Sequence, residues 1–393
     1  MTPSTTHLDL PFFDDVHREL SPRLVAWMVQ QRVDESDDRA ACRHWVERLG
    51  ADGWLRYCVP AGADGKLGGA LDRLDSRALV VLRETLAFYS PLADFAFAMQ
   101  GLGSGAITLA GTAAQQASYL PQVASGQKIA AFALSEADAG SDAGAMQTSA
   151  TKSADGWRIK GSKTWISNGG IADFYVTFAK TDPAAGTRGI TAFIVDADTP
   201  GLDTSQHIAV MAPHPLATLE YDDCALHPSA QLGDLHGGFK LAMRTLDIFR
   251  ASVAGAALGM ARRALAEAVS YAKQRSMFGQ KLADFQLTQA KIGEMAALVD
   301  AAALLTYRAA WLRDEGERTG HAASVTAEAA MAKMTATENA QRVIDMALQM
   351  HGGLGVKVGT KVESLYRDIR SLRIYEGATE VQQLIIGKAL LQS

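Results

Sequence analysis

Residues 373–380 read RIYEGATE, which sets one carboxylate, Glu376, directly before a glycine and a second, Glu380, four residues on. The two need different explanations. Thr379 suits an N-cap, and Glu380 then falls in the first turn of a final helix, where a negative charge matches the helix dipole. Glu376 lies outside that helix, and Gly377 lets a ligand come close to the backbone there. Its chemistry is that of a general base or of a plain loop charge, and the rest of the chain must decide between them. Four glycine-marked segments bear on the question. FALSEADAGSD (132–142) leaves an apolar strand for a loop of small residues whose N–H groups, with Ser135 and Ser141, suit a planar polar ligand or a phosphate. KTWISNGG (163–170) places Trp165 and Ser167 before an Asn-Gly turn, where a tryptophan fits either the core or a ligand wall. QRSMFGQ (274–280) offers Arg275 as a surface charge or a phosphate clamp. QMHGGLG (349–355) ends a long helix on two glycines, which is by itself a capping signal.

Two patterns carry no chemistry. GLGSGA (101–106) fits the dinucleotide spacing, but DFAFAMQ before it reads as helix and the required parallel strands are missing. His207, His214, His227 and His236 have no ligand spacing, so no metal site is expected.

The elements that must position these groups fall into three regions of an α+β chain. Residues 1–128 show helical spacing broken by Gly and Pro. Residues 129–236 turn to β-branched and aromatic runs, as in WRIKGSKTWIS, FYVTFAK and GITAFIVDA. Residues 237–393 return to long helices, with Ile292, Met295, Val299 and Ala302 on one stripe. A helical domain, a β domain and a helical bundle are expected in that order. The 393 residues are 48% hydrophobic and 21% charged, with a net charge of −5, an ordinary globular balance without a basic footprint for nucleic acid or an anionic membrane. Cys42, Cys58 and Cys224 lack ligand or redox spacing and read as free, packed thiols. No run of about 20 apolar residues spans a membrane. The acidic start lacks a signal-peptide pattern and the closing LQS is not a peroxisomal address, so a cytoplasmic protein is expected.

Taken together and in order, FALSEADAGSD, KTWISNG, RSMFG, QMHGGLG and IYEG resemble the acyl-CoA dehydrogenase family over nearly the whole chain. GTAAQQASYLPQVASGQ (111–127) belongs to the same likeness, which treats the glycines of 101–106 as part of a helix connection. The resemblance implies an antiparallel barrel-like β domain and a C-terminal four-helix bundle with FAD held between them, part of its adenosine diphosphate gripped by a neighbouring subunit. Phe132, Leu134, Ser135, Gly140 and Ser141 would follow the isoalloxazine edge. Trp165 and Ile166 would pack there, with Ser167 near N5. Arg275, Phe278 and Gln286 would meet the diphosphate of another subunit's FAD, Gln349, Gly352 and Gly353 its adenosine, and Thr379 and Glu380 would lie close by. Ser141, Leu246, Asp247, Arg250 and Gly377 would hold the CoA thioester, although Arg250 also fits a structural ion pair. Glu376 would take the α-proton and a hydride would leave the β-carbon for the flavin. Asp247 and Phe249 stand where some members carry the base on another helix, which favours Glu376.

Two departures stand out. The loop reads ADAG where many members have PGAG, so Ala137 lacks a proline's rigidity. His214 stands between two prolines in MAPHPLATLEYDDC, as a turn or as a reshaped CoA entrance. The implied activity is dehydrogenation of an acyl-CoA to its 2-enoyl thioester in a homotetramer, a dimer of dimers, that passes electrons to an electron-transfer flavoprotein. The alternatives are an oxidase, a nitroalkane oxidase or a β-eliminating enzyme of the same fold, or a DNA-binding relative, which the acidic balance disfavours.

Overall fold

The computed structural model describes residues 1–320 and 325–392. Five helices come first: α1 (Asp15–Met28), α2 (Asp38–Ala51), α3 (Ser76–Tyr89), α4 (Pro91–Ala110) and α5 (Ala113–Ala124). Local chemistry sets their starts. Asp37 accepts the N–H groups of Arg39 and Ala40 at the head of α2. Thr112 and Gln115 exchange reciprocal hydrogen bonds of 3.2 and 2.9 Å to open α5. The glycines of 101–106 lie inside α4 rather than in a connection. A Cβ at Gly103 would stand 2.6 Å from Ala130 Cβ, so close packing accounts for that glycine.

Strands β1 (Ala130–Ala133), β2 (Ser149–Ser153), β3 (Gly156–Ser167), β4 (Phe174–Lys180), β5 (Ile190–Asp196), β6 (Leu202–Ile208), β7 (Leu216–Leu226) and β8 (Gln231–Leu232) form one sheet. Its order is β6-β7-β3-β2-β4-β5-β8, with β1 paired to β4 off that path. Most pairs are antiparallel as expected, but β1–β4 and β2–β4 run parallel. Beyond the sheet come α6 (Gly238–Gln274), a ribbon of β9 (Ser276–Met277) and β10 (Gln280–Lys281), then α7 (Gln286–Thr319), α8 (Thr326–Met350), α9 (Lys361–Leu372) and α10 (Thr379–Gln392). The helical C-terminal region is thus three long helices followed by two short ones.

The chain groups into two compact units. One comprises Met1–Arg32, Ser76–Asp94 and the chain from Asp247 onward; the other comprises Val33–Asp75 and Phe95–Leu246. In the first, the buried Asp314 of α7 accepts the N–H groups of Ser76 and Arg77 and the Arg77 guanidinium, satisfying the open start of α3 with a carboxylate. Helix α7 is long and apolar enough, on length and composition alone, to cross a membrane. Its buried stripe of Met295, Val299, Ala302, Ala303 and Thr306 packs instead within this unit, against α8 and α3. The second unit is built on the sheet, with Phe174, Tyr175, Phe178 and Phe193 among its largest buried side chains.

Candidate active site

In the helical unit the decisive segment joins α9 to α10. Glu376 adopts φ 52° and Gly377 φ 93°, both in the left-handed region that costs a side-chain-bearing residue of order 1 kcal/mol or more. The φ at 377 is what calls for glycine there, and a Cβ would also crowd the Gln382 amide. Three side chains hold the turn by its carbonyls. Lys333 Nζ and Gln382 Nε2 donate to Gly377 O at 2.7 and 2.9 Å, and Arg250 Nε donates to Glu376 O at 3.3 Å. With its backbone pinned, the Glu376 side chain is left unsatisfied: Oε2 is buried and makes no hydrogen bond. The residue keeps some exposure overall, but its carboxyl lies deep enough for loss of hydration to dominate and push its pKa up. Arg83, Lys333 and Arg250 pull it back down and Asp94 opposes them. A buried carboxyl with a raised pKa and an open oxygen is a proton acceptor waiting for a partner.

Arg83, buried in α3, lies among the charges acting on that carboxyl. It binds Asp94 bidentately at 2.8 and 2.9 Å and donates to Ser252 Oγ at 2.9 Å. Tyr375 completes this group, its hydroxyl pushed up by burial. Sequence reasoning passed over Arg83, Asp94, Lys333 and Gln382. The available signal was a charge set inside an apolar or small-residue helical stripe, as Lys333 is between Ala329–Ala330 and Ala336–Thr337.

Arg250 makes the structural ion pair that its type also suited. Its Nη1 donates to Asp247 at 2.6 Å while its Nε holds the Glu376 carbonyl. Asp247 also accepts from Thr326 Oγ1 at 2.9 Å, so each of its oxygens already holds a hydrogen bond. Thr379 is not an N-cap: it already lies within α10, and its hydroxyl donates to Glu338 at 2.6 Å. Glu380 is exposed in the first turn of α10. Farther along this unit, Arg275, Gln349, Gly352 and Gly353 line one cavity of about 750 Å³, together with Tyr271 and His351, whose rings stack at 4.3 Å. Phe278, 87% exposed, and Gln286, at the start of α7, do not line it.

In the sheet unit the two expected flavin segments meet. Thr164 N–H donates to Ser135 O at 3.0 Å, joining the loop after β1 to β3. The β3–β7 register slips between Lys163 and Ile166. At this bulge Trp165 takes φ 59° and turns its indole outward, 57% exposed, while Ile166 points into the core. Ser167 Oγ is 3.0 Å from His214 Nε2. His214, expected as a turn or entrance residue, is therefore tied to a predicted flavin contact. Phe132 packs against Phe178 at 4.9 Å, Leu134 is buried, and Gly140 and Ser141 are exposed in the loop. Beneath the loop, a lysine missed in the sequence supports it: buried Lys163 donates to Leu134 O at 3.0 Å and Glu136 Oε1 at 2.8 Å, and Glu136 accepts the N–H groups of Gln147 and Thr148. Leu246 is buried in α6. Among the described residues there is no cluster fit for a metal ion.

Helices, a central sheet and helices again, bearing a buried carboxylate and glycine-lined polar loops, define a flavin-dependent oxidoreductase. The chain belongs to the acyl-CoA dehydrogenase family: the family's N-terminal, middle and C-terminal domains match residues 16–127, 131–224 and 236–391. It is 38% identical to the 3-(aryl)acrylate reductase of Clostridium sporogenes over 97% of this chain and 100% of that one. It is 36% identical to the caffeyl-CoA reductase–Etf complex subunit CarC of Acetobacterium woodii over 95% and 96% of the two chains. The butyryl-CoA dehydrogenase structure of Megasphaera elsdenii matches with a TM-score of 0.89 and 34% identity, covering 96% of this chain and 99% of that one. FAD is the cofactor of this family.

Proposed function

We propose that the chain dehydrogenates a short or aryl-substituted acyl-CoA at Cα–Cβ, with Glu376 as the base. The observation that carries the proposal is the buried, unpartnered Glu376 Oε2 on a turn pinned through both its carbonyls. The α-proton of a thioester is only weakly acidic, so its removal needs a fixed base in surroundings poor in water. Glu376 meets both needs: its raised pKa narrows the gap to a C–H acid, and its backbone cannot swing away. The room that a side chain at 377 would take is filled by the Gln382 amide, so Gly377 serves the shape of the turn rather than an opening for the thioester.

The residues fit FAD. An outward Trp165 beside Ser167, an exposed Gly140–Ser141 loop and a roomy cavity rimmed by Arg275 and two glycines match a flat ring and an anionic diphosphate. Phe132, Leu134, Ser135, Trp165 and Ser167 would hold the ring; Arg275, Gln349 and Gly353 would hold the diphosphate and adenosine. When bound, FAD supplies the acceptor for the β-hydride. The exposed Phe278, Leu287, Val356 and Val358 support burial against a second copy, in line with a homotetramer whose FAD sites are completed across subunits. An electron-transfer flavoprotein is the proposed electron partner, by likeness to a relative named for an Etf complex. A cytoplasmic setting completes the reading.

The names of two relatives favour a second direction, reduction of a 2-enoyl or arylacryloyl thioester. The same Glu376, protonated, would then deliver a proton to Cα, which its raised pKa also allows. An anaerobic panel of butyryl-, longer acyl- and arylpropionyl-CoA, read by bleaching of the oxidised flavin band, tests the first direction. Enoyl thioesters added to reduced holoenzyme test the second. No absorbance change with any thioester overturns both.

A further inference from the structure

The turn that carries Glu376 is fastened by a buried cation. Lys333 lies on the inward stripe of α8 and has no solvent exposure. Nζ donates to the Gly377 carbonyl at 2.7 Å. Removing an ammonium group from water costs several kcal/mol, which one neutral carbonyl does not offset. Among carboxylates, Glu376, one residue before that carbonyl, leads the influences that favour the charged lysine, ahead of Glu338 and Glu380, while Arg250 opposes them.

The three cations acting on Glu376 are not equivalent. Arg83 is bound bidentately by Asp94, and Arg250 is bound by Asp247. Among the described residues, Lys333 alone of the three has no carboxylate within ion-pair distance. It is therefore the one cation facing the base without a carboxylate of its own, and its hydrogen bond is to the Gly377 carbonyl directly after the base.

We propose that Lys333 is a positioning residue for Glu376: it locks the left-handed Glu376–Gly377 turn, and its charge keeps the buried carboxylate ionised. The proposal rests on the reading of Glu376 as the base. The groups facing Glu376 are Arg83 of α3, Asp94 of α4, Arg250 of α6 and Lys333 of α8, with Tyr375 beside it; Glu338 and Glu380 face Lys333. Turnover needs the ionised carboxylate, so activity is present above its pKa and lost as pH falls through it. Deleting the lysine charge raises that pKa and moves the acid limb of the rate profile to higher pH.

The test uses FAD-loaded Lys333→Met and Lys333→Gln, with Lys333→Arg as the charge-retaining control. Both neutral variants should shift the acid limb upward and lower kcat at pH 7 about tenfold, equivalent to ~1.4 kcal/mol, with little change in KM. The arginine variant should keep the limb near the parent's. Superimposable pH profiles for parent and neutral variants overturn the proposal. So does failure of all three to bind FAD, which assigns Lys333 to folding instead. Glu376→Gln separates the layers. Parental activity in that variant sinks the base assignment itself, whereas collapse there with unmoved profiles at position 333 sinks only the inference about Lys333.

Discussion

Ser167 Oγ stands 3.0 Å from His214 Nε2, and the imidazole lies 3.9 Å from the ring of Phe95. Burial pushes the imidazole pKa down to about 3, so the ring is neutral near pH 7 and gives Ser167 a neutral hydrogen bond rather than a charge. His214→Phe removes that bond and keeps the ring. If Ser167 serves the flavin, FAD should bind about three- to tenfold more weakly, as expected for a neutral bond worth ~1 kcal/mol. Fluorescence titration of deflavinated protein measures this, and an unchanged dissociation constant contradicts it.

The same histidine sets an acid limit. Unfolded, it titrates near 6.5; folded, at about 3. Between these values the unfolded chain holds the extra proton, so this contribution to stability is complete above pH 6.5 and declines as pH falls toward 3. His7, also lowered by burial, acts in the same sense. The urea midpoint should therefore drop between pH 7 and pH 5 by more in the parent than in His214→Phe. Parallel declines would show that His214 is not responsible.

Glu376 and Glu380 should separate by kind of damage. Glu376→Gln keeps the shape but cannot accept the proton, and turnover should fall ~100-fold or more with FAD retained. Glu380→Gln, exposed at the start of α10, gives up a helix-dipole interaction of roughly 0.3–1 kcal/mol and should remain active. Steady-state rates and bound-flavin absorbance check both; equal losses would refute the division of roles.

Lys163→Met should destabilise the sheet unit. Glu136 would keep the N–H groups of Gln147 and Thr148 but lose its buried cation, and breaking such a pair costs about 3–5 kcal/mol. Leu134 O would lose its donor as well, loosening the loop expected at the flavin ring. Chemical denaturation and flavin content should decline together; a stable variant that sheds no FAD would count against this support.

All three cysteines are buried, and burial pushes the thiols of Cys42 and Cys224 up. None should react with a thiol-specific disulfide reagent in the folded protein at pH 8, and all three should react once it is denatured. A fast-reacting equivalent under native conditions would place one of them in the open.

The order of helical, sheet and helical segments was legible because hydrophobic spacing is a local property, and Glu376 stood out as a candidate because its motif is contiguous. The supports of Glu376 are of another kind. Lys333 and Gly377 are 44 residues apart, and Arg83 finds Ser252 across 169. No spacing rule announces such pairs; only the packed helices bring them together. His214 and Ser167 were each noticed, yet their hydrogen bond depends on the β3–β7 pairing. Thr379 misled because its residue type suits a cap, while the competing acceptor, Glu338, lies on a different helix.

The backbone of Glu376 has a consequence for anyone breeding a hardier version of this protein. At φ 52°, asparagine or glycine would sit with less strain than glutamate. Either replacement would also remove a buried carboxyl with an unpaired oxygen. A selection that rewards heat tolerance alone would weigh that relief only against the countercharge lost to Lys333, and nothing in it protects the side chain on which the proposed chemistry depends. Directed evolution here needs a turnover screen in every round, or its most robust descendants will be well-folded catalysts of nothing.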